Sequence, residues 1–172
     1  MKRVLLLAGI FMFATSVNAQ KGNNQIGIGA EVDFPMGNLG TAYKTGFGGS
    51  IKGLYGIGNA GQLTLSGGLS SFKGKSGTSY SSQTFNLVPI LAGYRHNFKG
   101  SFYVEPQAGV GIGTTKVTGF KFTQTEFAAV VNVGYAKNGF DISAFYHSEF
   151  DVLSIFGVRV AYNISLHSNP KK

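Results

Sequence analysis

One stretch of this chain sets side chains of catalytic type next to one another: His147, Ser148 and Glu149, with Asp151 close by. A serine nucleophile needs a histidine within hydrogen-bond reach to take its proton. The segment that carries them, Phe140 to Glu149, alternates apolar and polar residues as a β-strand does, so adjacent side chains point to opposite faces. His147 and Ser148 therefore cannot act as a pair, and no catalytic residue is assigned. A larger set consists of charges. Glu31, Asp33, Glu105, Glu126 and Asp141, five of the seven acids, stand with Lys52, Arg95 and Arg159 on the polar side of alternating segments. They read either as an ion path or as mutually paired charges filling an interior. A lone buried charge is costly and pairing is the remedy, so the paired network is the expectation. No cofactor or metal is expected. The chain has no Cys, which removes thiolate sites and disulfides. His96 and His167 stand alone and read as interfacial. The run Gly109 to Gly113 does not lead from a strand into a helix and is no phosphate cradle.

The elements that must position these charges all have period two. Along Ser101 to Gly113 (SFYVEPQAGVGIG), Phe102, Val104, Pro106, Ala108, Val110 and Ile112 form an apolar row. Tyr103, Glu105, Gln107, Gly109, Gly111 and Gly113 form the other, small and polar row. Similar alternation predicts strands over Gln25 to Phe34, Thr45 to Tyr55, Gly61 to Phe72, Gln83 to Asn97, Glu126 to Ala136, Phe140 to Glu149 and Leu153 to Leu166. Long polar loops are expected at Pro35 to Lys44, Lys73 to Ser82 and Thr114 to Thr125. Tight turns are expected at Ile57 to Ala60, Phe98 to Gly100 and Lys137 to Gly139. Strand four is the least regular. With Thr84 and Asn86 facing in, its parity requires a bulge, for which Pro89 is the natural place. The turn at Phe98 to Gly100 sets Arg95 opposite Tyr103 and one diagonal step from Glu105.

Eight strands with no helical segment fit one all-β domain, an eight-stranded antiparallel up-and-down transmembrane β-barrel over residues 20–172. An apolar outside facing lipid and a small, polar lumen account for glycine on one face and acids that must point inward. Alternating long and short connections place loops on one side of a membrane and turns on the other. Such a barrel is only wide enough for side chains to fill. The segment LVPILAGYRHNF, a hairpin and then SFYVEPQAGVGIG resembles the small outer-membrane β-barrels common in Bacteroidetes, similar in architecture to the OmpX and OmpA membrane domains. The resemblance covers essentially all of the mature chain. It implies a porin-family-like protein of the Gram-negative cell outer membrane. Such barrels often end on an aromatic residue, whereas this chain ends HSNPKK, which leaves Tyr162 as the last aromatic of the girdle. Lipid A deacylases use a His, a Ser and a Glu on a similar barrel, but their His and Ser share a face, unlike His147 and Ser148.

Residues 1–19 read as a secretory signal: Lys2 and Arg3, an apolar Val4 to Ala14, and the small-x-Ala site Val17-Asn18-Ala19. The formal net charge of +8 is scattered rather than clustered, which argues against nucleic-acid binding. Lys44, Lys73, Lys75, Lys116 and Lys121 fall in the loops. They read equally as a solvated surface or as contacts to anionic lipopolysaccharide. The expected function is structural or surface-interacting, through four extracellular loops, by a non-enzymatic monomer among outer-membrane lipids and lipopolysaccharide. The alternatives are a small pore and a lipid A-modifying enzyme at the His147 rim. Which surface ligand the loops would meet is not written in the residues.

Overall fold

A computed structural model describes residues 24–57, 60–117, 120–149 and 153–166. The expected signal at 1–19, the start of the mature chain, Asp151, His167 and the tail lie outside the described residues. Eight strands form one closed antiparallel barrel in sequence order. They are β1 (Gln25–Met36), β2 (Gly46–Ile57), β3 (Gly61–Lys73), β4 (Thr84–Asn97), β5 (Phe102–Val117), β6 (Phe120–Lys137), β7 (Phe140–Glu149) and β8 (Leu153–Ser165). The seam that closes the barrel pairs Glu31 with Arg159 and runs from Gln25–Ser165 to Met36–Ser154. Closure leaves the membrane-level ladder without a free edge, which a sheet in lipid requires.

The alternation of the sequence becomes an inside and an outside. Ile28, Phe47, Ile51, Leu65, Val131, Val133, Ile142 and Val160 are all about half exposed or more, on the outer surface. No helix among the described residues is long and apolar enough to cross a membrane. The strands do the crossing. From Phe102 to Ile112 the outer face of β5 is apolar without interruption. At about 3.3 Å per residue and a tilt near 40° that run covers roughly 25 Å along the membrane normal, the height of a barrel's apolar band. Aromatic pairs mark its limits. Phe102–Tyr135 (5.2 Å) and Phe140–Tyr162 (5.4 Å) lie at the tight-turn end, and Phe34–Phe156 (6.3 Å) at the loop end. His96 joins the first of these belts, edge-on to Phe98 at 4.7 Å.

Four local expectations are corrected. Strand four has no bulge: its register with β3 and with β5 is constant from Thr84 to Asn97. Thr84 and Asn86 face outward, and Phe85, Leu87 and Leu91 face in and are buried. Each proline is accommodated by lost rungs instead of a register shift. The β3–β4 ladder skips between Gly67–Ile90 and Ser70–Leu87, beside Pro89. The β4–β5 ladder skips between Gly93–Gln107 and His96–Val104, beside Pro106. In the following turn Asn97, not Arg95, stands opposite Tyr103. The loop is Lys99-Gly100-Ser101, with Gly100 (φ 85°) and Ser101 (φ 74°) left-handed. The two-residue shift keeps Arg95 facing in and brings it level with Glu105.

Residues 114–117 and 120–125 are strand, not loop. Thr114–Thr123, Thr115–Phe122, Lys116–Lys121 and Val117–Phe120 extend β5 and β6 as a hairpin above the apolar band. Threonine and phenylalanine at alternate positions favour strand over coil there. Within the expected loop 35–44, a six-residue helix α1 (Gly37–Ala42) turns the chain across the mouth of the barrel.

Candidate functional site

Among the described residues, charged side chains of both signs converge in the lumen. In its lower half, towards the tight turns, four charges on four strands form a chain. Lys52 Nζ lies 2.9 Å from Glu105. Arg95 lies 2.8 Å from the other oxygen of Glu105 and, through Nη1, 2.9 Å from Asp141. The Arg95 guanidinium also sits 3.7 Å above the Tyr103 ring, whose hydroxyl donates to Asp141 at 2.6 Å. Asn163 donates to Asp141 at 3.1 Å. Two cations and two anions thus neutralise one another in a space where none of the four is more than 3% exposed. Both arginine contacts are charge-assisted hydrogen bonds.

Higher up, Arg159 donates through Nε to Ser50 (2.9 Å), and Ser50 donates to Glu31 (2.5 Å). Arg159 and Glu31 are 3.4 Å apart. Asp141 is held by Arg95 and not by Arg159. Asp33 is buried beside Ser70 and has no ion pair among the described residues. Glu126 stands at the loop-side rim, half-buried and outside the paired network. Of the eight charges singled out from the sequence, six therefore pair, while Asp33 and Glu126 do not.

His147 and Glu149 both face the lumen and are buried, with Nε2 and the carboxylate 3.4 Å apart. Glu149 lies across Gly111, where any β-carbon would collide with it. Ser148 is on the opposite face, paired in the ladder with Ala129 and Ser154. His147 and Ser148 thus point to opposite faces of β7 and do not form a pair. No cluster of three or more metal-ligating side chains occurs among the described residues.

Between the two charged layers a cavity of about 50 Å³ is lined by Ser50, Lys52, Gln107, Asn132, His147 and Arg159, among others. Above it an apolar plug closes the barrel. Phe72, Phe85, Leu87, Leu153 and Ile155 fill the upper lumen beneath Ala42 and Tyr43, with Leu39 and Phe145 packed against them. The loop after β3 is tied to the helix side of the mouth. Lys75 donates from its backbone to Ala42 O (2.9 Å) and from Nζ to Gly40 O. Lys44 N donates to Lys73 O (2.8 Å), and the Tyr43 hydroxyl to Gln83 (3.2 Å). Burial holds the Tyr43 phenol above the ordinary tyrosine range. This lid is the feature that sequence reasoning missed. Its signal is present, since the inward parity at the loop ends of β3, β4 and β8 carries large apolar residues instead of small and polar ones.

This chain is a closed eight-stranded antiparallel barrel with an apolar outside. It has the fold of the small outer-membrane barrels. Among similar solved structures is Ail, the attachment invasion locus protein of Yersinia pestis, solved in complex with the heparin analogue sucrose octasulfate. It has a TM-score of 0.61 and 16% identity, over 84% of this chain and all of that one. Neisserial surface protein A matches at 0.53 with 18% identity, covering 83% of this chain and 97% of that one. The N-terminal barrel domain of Pseudomonas aeruginosa OprF matches at 0.53 with 18% identity, covering 84% and 100%. At these identities the likeness is one of fold. The sequence matches no family model and no curated protein.

Proposed function

We propose that this protein is an integral outer-membrane barrel of the small, side-chain-filled kind, neither a pore nor an enzyme. It acts by holding a rigid set of extracellular loops at the cell surface. The observation that carries this reading is the lid. A lumen whose charges already neutralise one another, under a plug of Phe72, Phe85, Leu87 and Ile155, offers no continuous aqueous path. An ion crossing it would break buried pairs and enter apolar surroundings, both costly. The interior charges are then structural, a polar core that fixes strand register. The protein works as a monomer, with lipid and lipopolysaccharide as its surroundings and no nucleic-acid partner. Its working surface is the outside: the lid, the β5–β6 hairpin and the loop lysines. Those lysines favour an anionic surface ligand, and Ail with its bound sulfated sugar gives that reading a parallel on the same fold.

The test is single-channel recording of the refolded barrel in a planar bilayer. The proposal expects no steady conductance from the native chain. Stable, ohmic steps from every insertion would overturn it in favour of a pore.

A further inference from the structure

The lysines of the loop region are not scattered once the register is known. Lys73 of β3 pairs with Thr84 of β4, Thr84 with Lys116 of β5, and Lys116 with Lys121 of β6. These four residues form one row across four neighbouring strands, all on the outward face. One step nearer the membrane is a second row, Ser71–Asn86–Thr114–Thr123, uncharged and polar, with the Thr114 and Thr123 hydroxyls 3.2 Å apart. Below it the outer face turns apolar: Leu69, Val88 and Ile112, with Thr125 beside Ile112, then Gly67–Ile90–Val110–Phe127. The order from top to bottom is cationic, hydroxyl and amide, hydrocarbon.

We infer that the outer face of β3–β6 is a docking site for a phosphorylated glycolipid of the outer leaflet, with a head group of the lipid A type. The inference rests on the outer-membrane reading above and assigns a partner to one side of that barrel. Three observations carry it. The first is level: on β5 the polar residues begin at Thr114, where the roughly 25 Å apolar run ends, so Lys116 stands at phosphate height above buried acyl chains. The second is repulsion. Lys116 and Lys121 are directly opposed across the ladder, an arrangement that destabilises a sheet unless an anion lies between them. No acid stands on the outward face of any described strand, and Glu126, the nearest on β6, has inward parity. A phosphate turns that repulsion into charge-assisted contacts.

The third is one-sidedness. At the loop end of the opposite wall, the outward residues Met36, Ser154 and Ser148 carry no cation. A merely solvated rim has no reason to put its lysines on one wall. Strands stand about 4.8 Å apart, so the row from Lys73 to Lys121 extends about 14 Å, enough for a disaccharide with a phosphate at each end. The hydroxyls and amide of the second row face its sugar and acyl-linkage oxygens.

The test uses the full refolded barrel in detergent micelles and measures binding of diphosphoryl lipid A by native mass spectrometry. Lipid A stripped of its phosphates and a soluble sulfated polysaccharide serve as second and third probes. Lys73→Gln, Lys116→Gln and Lys121→Gln are combined in one variant, and Lys99→Gln with Lys137→Gln, at the turn end, form the control. The expected result is at least a tenfold loss of diphosphoryl lipid A binding in the triple variant and none in the control. Removing the phosphates should cause a similar loss with the native chain. All three substitutions are at exposed positions. Asn86→Leu, on the polar row, is a second variant, expected to weaken lipid A binding with the lysines intact.

Equal binding of native and triple variant, or indifference to the phosphates, would overturn the site. Loss confined to the soluble polysaccharide would overturn it too, and assign the row to a ligand arriving from outside. These failures are separable from failure of the outer-membrane reading. In that case the chain would not insert into lipid vesicles at all.

Discussion

Arg95 is the side chain whose removal should cost the barrel most. It is 1% exposed, bridges Glu105 and Asp141 at 2.8 and 2.9 Å, and covers the Tyr103 ring. Arg95→Met keeps most of the volume and removes the charge. Glu105 retains Lys52 at 2.9 Å, so its loss is partial. Asp141 retains only the Tyr103 hydroxyl and Asn163, neither of them charged. Stranding one buried charge costs about 3–5 kcal/mol, and losing a desolvated cation–π contact about 2 kcal/mol more. Relaxation and the surviving Lys52 pair offset part of this, so a net loss of about 4 kcal/mol is expected. Adding Asp141→Asn should recover about half, because the stranded charge is then absent. Arg159→Met is the internal comparison: Glu31 is 12% exposed and keeps its bond from Ser50, so about 1–2 kcal/mol is expected. The assay is urea unfolding of the vesicle-inserted barrel, followed by the gel shift between folded and unfolded bands. A loss below about 1 kcal/mol for Arg95→Met, or no recovery by Asp141→Asn, would refute the paired-plug account of the lumen.

Three further outcomes are expected. Val131→Arg, at the middle of the outer apolar band, should destabilise insertion by about 2–4 kcal/mol, and Phe34→Arg, at its edge, by about 1 kcal/mol or less in the same titration. Gly134→Ala puts a methyl against the Tyr103 ring and hydroxyl (2.5–2.6 Å) and the Ile142 carbonyl (2.7 Å), so overpacking of about 1–3 kcal/mol should appear in the urea midpoint. The lid should loosen in alkali. Burial favours the neutral Tyr43 phenol, so its contribution is complete below about pH 10 and falls as pH rises beyond it. Trypsin cleavage at Lys75 should therefore accelerate above that pH in the native chain, with a smaller acceleration in Tyr43→Phe.

Most of the barrel was legible because period two carries its own meaning. Once Ile26, Ile28 and Val32 are read as one face, Glu31 and Asp33 must be on the other, and the same argument places Glu105 and Asp141. Closure then brings Glu31 to Arg159 without further information. What was not legible came from places where the inside is not small and polar. Phe85 and Leu87 face in because the upper lumen is plugged, and a rule that apolar means outward reads them backwards and calls for a bulge. The partner of Arg95 is one diagonal away from Tyr103 because the three-residue turn, with Gly100 and Ser101 left-handed, begins one residue later, at Lys99. The β5–β6 extension reads as a loop in the sequence because its threonines and lysines look solvated. They are solvated, and they are also paired.

The outer surface of β1–β8 faces hydrocarbon. The chain contains no Trp, so a single one reports without background. Val131→Trp, mid-band on β6, and Ser76→Trp, on the exposed loop over the mouth, are refolded into vesicles carrying dibrominated acyl chains. Strong quenching at residue 131 and little at residue 76 is the predicted result. Equal quenching at both, or none at residue 131, would contradict the membrane barrel itself.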